Sequence, residues 1–164
     1  MEIKIIDNFL DKIDLKRVIN STNEKSWMIQ KSYVNKEDHL QFLYLDVTDE
    51  EFFNKYLFKQ IEKHLDKKYD IGRIYFNGQW PGRDGGFHTD DNGETKMSVL
   101  FYVGEYKLGW GGFTEILTSP TEQKVIAPLQ NRLVIFPGGD LMHKAYSFSN
   151  QSCPMRVSLA YKLF

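Results

Sequence analysis

Two periodicities divide the chain. Up to about residue 70, apolar positions recur at helical intervals in two places. Between Asp11 and Asn20, Ile13, Leu15 and Val18 fall to one side, behind the apolar lead-in Phe9-Leu10. The second pattern is stronger: Phe53, Tyr56, Leu57, Ile61 and Leu65 alternate with a polar side of Lys59, Glu62, Lys63, Asp66 and Lys67. This spacing predicts an amphipathic helix over 49–68. Thr48, with Glu51 three residues later, has the spacing of a capping box at its start. The segment 24–45, with Trp27, Tyr33, His39 and Tyr44, reads as a hairpin, and His39 within it as a surface residue.

From Asp70 the period shortens. Runs rich in β-formers at 71–77, 95–103, 113–118, 123–127, 131–136, 141–147 and 154–162 are separated by turn signals such as Pro81-Gly82, Asn92-Gly93, Gly111-Gly112 and Pro137-Gly138-Gly139. Many short strands punctuated by Gly and Pro predict a sandwich, barrel or jelly roll. The two helices ahead of them can cover one outer face of a sheet. The chain therefore reads as α+β and mainly β, one domain over 1–164, with 1–70 as helical support and 71–164 as the β core; its 164 residues suit one domain.

Charge and cysteine content narrow the function classes. Lys plus Arg is 21 and Asp plus Glu is 22, a net charge of −1. That balance supplies no surplus of cations to neutralise phosphates, so nucleic acid is not the expected partner. Aromatics at 15% fit a strand-rich core. Cys153 is single, which leaves no internal disulfide and no CxxC knuckle. No apolar run approaches membrane-spanning length, and the opening MEIKIIDNFL has no basic segment followed by a long apolar stretch. A cytoplasmic location without a membrane partner is expected. The sequence leaves the oligomeric state open.

The candidate chemistry lies with the histidines. Both His64 and His88 are followed two residues later by Asp. On a helix, residues i and i+2 do not face each other, which sets aside His64 and Asp66 as a pair. On an extended segment they point to one side. His88 and Asp90 lie in GGFHTDDNG, after a glycine loop and outside any helical pattern. They can grip one ion, and the same alternation turns Asp91 away. His143, after the strand Leu133-Val134-Ile135-Phe136 and the turn Pro137-Gly138-Gly139-Asp140, is the remaining histidine of the β part. Two histidines and one carboxylate with other positions open form the facial triad of non-haem Fe(II) oxygenases, although zinc also accepts these ligands. The run Met155 to Tyr161 alternates strictly, with Arg156, Ser158 and Ala160 on one face and Val157, Leu159 and Tyr161 on the other. A narrow polar face led by Arg suits a carboxylate, held by a bidentate, charge-assisted pair with a hydroxyl assisting.

These motifs together resemble the Fe(II)- and 2-oxoglutarate-dependent dioxygenases. That family carries His-x-Asp, a distal histidine and then a basic residue. Here they are His88-x-Asp90, His143 at 55 residues beyond His88, and Arg156 at 13 beyond His143. Ser98 to Val103, Gly109 to Glu115 and the opening Ile5 to Leu10 are similar to stretches of the prolyl 4-hydroxylase-like branch, so the likeness covers most of the chain and is thinnest over 20–47. The resemblance implies a double-stranded β-helix, with the N-terminal helices packed on one sheet. It implies His88, Asp90 and His143 as iron ligands, and Arg156 with Ser158 on the distal carboxylate of 2-oxoglutarate. Tyr102 and Tyr75 match co-substrate-pocket tyrosines, and Thr114 and Ala145 would line the pocket. The loop after Arg156's partner histidine is longer than usual in that branch, which brings Lys162 into competition with Arg156. The implied reaction hydroxylates a C–H bond with O2, releasing succinate and CO2, with ascorbate as a reductant. The implied substrate is peptidyl-proline, another peptide or protein, or a small molecule, with Trp80 and Arg83 of the loop 77–86 as candidates to meet it. Two other readings use the same residues: a non-catalytic jelly-roll binding module, and a zinc hydrolase, for which no HExxH helix is present.

Overall fold

The computed structural model describes residues 2–31 and 41–164. Tyr33 and His39 lie outside the described residues. In chain order the elements are β1 (Lys4–Ile6), α1 (Lys12–Asn23), β2 (Met28–Lys31), β3 (Gln41–Asp46), a π-helical segment (Phe52–Leu57), α2 (Phe58–Glu62), β4 (Ile71–Gln79), β5 (Met97–Tyr102), β6 (Thr114–Ser119), β7 (Glu122–Ile126), β8 (Arg132–Phe136), β9 (His143–Ala145) and β10 (Arg156–Leu163). A seven-stranded sheet runs in the order β1-β8-β5-β10-β4-β3-β2, and a three-stranded sheet runs β7-β6-β9, every pairing antiparallel. Together they form a jelly roll. None of the described helices is long and apolar enough to cross a membrane.

Strand β10 organises both sides of the large sheet. Flanked by β5 and β4, it keeps the alternation of its sequence through its whole length. Val157, Leu159, Tyr161 and Leu163 face a core shared with Ile74 and Phe76 of β4, Val99 and Phe101 of β5, and Leu133 and Ile135 of β8. Onto that face pack Leu15, Val18 and Ile19 of α1 and Phe53, Leu57, Phe58 and Ile61 of the second helical stretch. The opposite face carries Arg156, Ser158, Ala160 and Lys162 toward the small sheet. Registers set their neighbours: Arg156 opposite Gln79, Ser158 between Asn77 and Tyr102, Ala160 between Tyr75 and Leu100, and Lys162 between Arg73 and Ser98. A second, smaller core of Ile3, Ile116, Ile126, Val134 and Phe136 fills the rest of the space between the sheets.

The helices depart from the sequence pattern in instructive ways. Ile13 does not join Leu15 and Val18; it is 79% exposed. Two residues correspond to about 200° of rotation, so a face built on Leu15, Val18 and Ile19 turns Ile13 away. The expected single helix over 49–68 is a π-helical stretch followed by one short α-helix that ends at Glu62. An i→i+5 turn inserts an extra residue and rotates the face that follows. Phe58 is thereby buried, whereas Tyr56 is turned outward, stacks on Phe52 at 5.6 Å and donates a hydrogen bond to Asp14 at 2.9 Å. The capping box does not form. Thr48 Oγ1 instead accepts from Ile74 N and donates to Ile74 O, tying this turn to β4, while Glu51 pairs with Lys55. The 24–45 hairpin is present as β2 paired with β3, which extends the large sheet beyond β4.

Asn131 fastens the N-terminal segment to the β core. It adopts φ +67°, a left-handed conformation that Asn tolerates better than most residues. Its side chain accepts from Leu10 N at 2.9 Å and donates to Leu10 O at 2.8 Å, and its own N–H donates to Tyr102 O at 2.9 Å. Asn131→Ala should lose about 2–4 kcal/mol, combining two buried hydrogen bonds with left-handed strain. Asn131→Gly, which removes the bonds without the strain, should lose clearly less. Urea denaturation of both variants tests this; equal losses would mean that the backbone conformation contributes nothing.

Candidate functional site

His88 and His143 are brought together by the main chain. His88 N donates to His143 O at 3.0 Å and His143 N donates to His88 O at 2.9 Å, an antiparallel bridge that extends the small sheet past β9. Directly opposed residues of such a pair project to the same side, and the two imidazole centroids lie 4.4 Å apart. Thr89 is extended at φ −101°, ψ 153°, which returns Asp90 to the side of His88, as the His-x-Asp spacing predicts. Asp90 itself opens a 3₁₀ turn, Asp90–Gly93, rather than continuing the extended chain, and its N–H donates to Gly138 O at 2.8 Å. Asp91, at φ +47°, points elsewhere: it pairs with Arg73 and accepts from Thr95.

The donor atoms are oriented for a shared ion. His88 Nδ1 lies 3.0 Å from Gly86 O and His143 Nδ1 lies 2.8 Å from Leu141 O. A carbonyl only accepts, so each Nδ1 carries the proton and each Nε2 presents its lone pair. Nε2 of His88 is 3.7 Å from Asp90 Oδ1, and Nε2 of His143 is 3.4 Å from Asp90 Oδ2. Among the described residues these three form a cluster able to hold a metal ion, with all three donor atoms within 4.8 Å of one another. Burial and the adjacent His143 push His88 below the ordinary imidazole value, which favours the neutral, ligating form.

Asp90 is 4% exposed, and its surroundings compensate that burial. Burial alone would raise its carboxyl. The Lys162 ammonium and His143 together outweigh that effect and hold the group far below the usual carboxylate range. Lys162 Nζ and Ser98 Oγ both donate to Asp90 Oδ2. Gly138 closes over this cluster. A Cβ there would overlap Ser98 Oγ and Asp90 Oδ2, so a larger residue would force the turn or these side chains to shift.

The cluster opens onto a cavity of about 670 Å³ between the two sheets. Arg156 stands on its wall, 2% exposed, and donates from Nε to Gly112 O, from Nη1 to Gln79 Oε1 and from Nη2 to Thr114 Oγ1, at 2.8–2.9 Å. Three of its five N–H groups are thus committed, leaving one on each terminal nitrogen. Ser158, Thr114, Ala145 and Tyr75 also line the cavity. Tyr102 does not. It is 1% exposed, lies under Arg156 at 5.3 Å and donates to Thr114 Oγ1 at 2.7 Å, so Thr114 occupies the wall in front of it. Among charged side chains the wall carries Arg73, Lys144, Arg156 and Lys162 against Asp90 and Asp91, a field that favours an anion.

Trp80 and Arg83 are not brought to this cavity. Trp80 is 54% exposed, Arg83 is exposed, and they sit at a turn in which Arg83 N donates to Trp80 O. The loop is tied down beside β9. Asp84 accepts from Ser147 N and Oγ, Gly82 N donates to Ser147 Oγ, and Gly85 N donates to Ala145 O. Gln79, Ser98 and Gly138 are the residues that sequence reasoning missed. Ser98 and Gln79 could have been found by carrying the two-residue alternation of β5 and β4 across to β10. Nothing in the sequence marks Gly138 apart from any other turn glycine. Lys162, weighed only as a rival to Arg156, occupies a different end of the cavity and contacts Asp90.

No protein-family model and no curated protein sequence matches the chain. Solved structures do. An oxidoreductase of the 2OG-Fe(II) oxygenase family from Burkholderia pseudomallei superposes with a TM-score of 0.80 at 13% identity, covering 98% of this chain and 84% of that one. A Trichoplax adhaerens prolyl hydroxylase in complex with a peptide fragment of the hypoxia inducible factor oxygen degradation domain gives 0.75 at 16% identity, covering 99% and 83%. The non-heme alpha ketoglutarate dependent epimerase SnoN from nogalamycin biosynthesis gives 0.71 at 9% identity, covering 99% and 77%. The chain shares the fold of 2OG-Fe(II) oxygenases.

Gly138→Ala tests the close approach over Asp90. It should cost about 1–3 kcal/mol of stability through overpacking and weaken divalent-metal binding at least about tenfold through displacement of the carboxylate. Thermal melts and metal titration of the purified protein read both effects; metal affinity matching the wild type would show that the turn yields without moving Asp90.

Proposed function

We propose that the chain is an Fe(II)- and 2-oxoglutarate-dependent oxygenase that hydroxylates a C–H bond and releases succinate and CO2. The observation that carries this reading is the convergence of His88, Asp90 and His143 on the wall of the cavity that also holds Arg156. The donor set fits the metal. Ligands at right angles around an ion with bonds of about 2.1 Å stand about 3 Å apart. One donor atom from each residue, all within 4.8 Å of one another, must close on the ion to reach that value. Two neutral imidazoles and one carboxylate form the donor set of the non-haem Fe(II) oxygenases.

His88, Asp90 and His143 would hold Fe(II), which when bound supplies the oxygen chemistry that side chains lack. The remaining steps belong to the protein. The cationic wall draws in the 2-oxoglutarate dianion. Arg156, with its two uncommitted N–H groups, takes the distal carboxylate, and Ser158 on the same face adds a hydroxyl donor. Tyr102 acts behind them, holding Thr114 and through it the guanidinium. Tyr75 walls the cavity, opposite Ala160 on one side and Asp46 on the other, with its ring 4.9 Å from that of Tyr44. Ascorbate would serve as reductant for oxidised iron.

A peptide containing proline is the substrate to test first. The Trichoplax adhaerens structure that shares the fold holds a peptide. Here Phe42, Tyr44, Phe87 and Met142 give the cavity an apolar portion beyond the charged end. Small molecules remain in the same test, because the fold also serves an epimerase.

Anaerobic addition of Fe(II) and 2-oxoglutarate should produce a visible charge-transfer band, and admission of O2 with a substrate should release succinate. His88→Ala and Asp90→Ala should lose both signals. Arg156→Ala should keep metal binding and raise the 2-oxoglutarate requirement at least about tenfold, the loss expected for a charge-assisted pair. Succinate release that is unaffected in His88→Ala, or turnover with zinc and no 2-oxoglutarate, would refute the assignment.

A further inference from the structure

Lys162 is a buried charged group of the cavity wall to which the proposed reaction gives no role of its own. It is 3% exposed and reaches Asp90 from the end of β10, with Ser98 opposite it across the β5 register. Burying an ammonium and a carboxylate together costs desolvation that a pair of apolar side chains would avoid, so packing does not account for its presence. Resting on the function proposed above, we infer that Lys162 is a positioning residue of the metal site: with Ser98 it occupies Asp90 Oδ2, so that Asp90 offers a single oxygen, Oδ1, to the metal and the bound ion keeps its full double charge toward the co-substrate.

A carboxylate oxygen has about two acceptor positions. At Oδ2 both are filled, by the Ser98 hydroxyl and the Lys162 ammonium, whereas none of the described hydrogen bonds ends on Oδ1. Gly138 N–H does not take part, but its carbonyl accepts from Asp90 N and its missing Cβ lets the three groups close up. The carboxylate is therefore held against rotation, and chelation through both oxygens would require breaking two hydrogen bonds. One-oxygen ligation leaves a coordination position free for the co-substrate. The charge count gives the second consequence. Two neutral imidazoles and a carboxylate would reduce a divalent ion to a net +1; the ammonium beside the carboxylate restores +2. A 2-oxoglutarate dianion then meets a matched charge, and the metal is held less tightly than its ligands alone would hold it.

The test compares the wild type with Lys162→Met, Lys162→Arg and Ser98→Ala, using Co(II) as a spectroscopic metal and 2-oxoglutarate itself. Lys162→Met should melt lower without metal, gain more from Co(II), and bind Co(II) about tenfold more tightly once the neighbouring positive charge is gone. Its Co(II) visible bands should shift, and 2-oxoglutarate should bind its Co(II) form about tenfold more weakly. Lys162→Arg should return both affinities toward the wild type. Ser98→Ala should shift the Co(II) bands while leaving 2-oxoglutarate affinity within about twofold, because no charge is removed. Lys162→Met with wild-type bands and affinities overturns the inference alone. Should that variant not fold, Ser98→Ala with unshifted bands overturns it. A wild type that binds neither Co(II) nor 2-oxoglutarate overturns the proposed function and this inference together.

Discussion

Placing an ionised carboxylate in a protein interior is the constraint from which this architecture follows. Asp90 has almost no contact with water, so positive charge or donors must reach it from several directions. Ser98 from β5 and Lys162 from β10 supply them, while the bridge carrying His88 and His143 sets the two imidazoles beside the carboxylate. The contacts of Ser98 and Lys162 depend on the pairing of β5 with β10, and that of His143 on the small sheet standing opposite. The site and the sandwich are in that sense one structure.

Strand β10 shows how a single element serves both stability and chemistry. Its outward side chains complete the apolar layer under the helices, while its inward ones form a polar row running from Arg156 through Ser158 and Ala160 to Lys162. The row is graded. A guanidinium with two uncommitted donors stands at one end, an ammonium neutralised by Asp90 at the other, and small side chains between leave room for a guest. A slip of one residue in register would exchange the two faces and lose core and cavity together.

Much of this was legible in the sequence because it depends on a period of two. The alternation of Met155 to Tyr161, the strands after Asp70 and the same-side placement of His88 and Asp90 needed no knowledge of tertiary contacts. The parts that were not legible depend on partners remote in sequence. Thr48 has the spacing of a helix cap, but its hydroxyl is claimed by the main chain of Ile74. The π turn within Phe52–Leu57 arises from backbone hydrogen bonding that no apolar spacing announces, and it reverses the side on which Tyr56 lies. Trp80 and Arg83 adjoin the site in sequence, yet the loop's bonds to Ser147 carry them outward. Tyr102 lies on the correct face but behind Thr114, a depth that alternation alone does not report.

The opposed main-chain hydrogen bonds of residues 88 and 143 have an evolutionary corollary. They work as a ruler made of peptide groups, which every sequence possesses. The gap between the two imidazoles is set by strand pairing and is largely indifferent to the side chains nearby. Substitutions can therefore accumulate through the sheets, loops and helices without altering that gap, provided the pairing survives. Such latitude accords with a shared fold persisting across structures that agree with this chain at only 9–16% of positions.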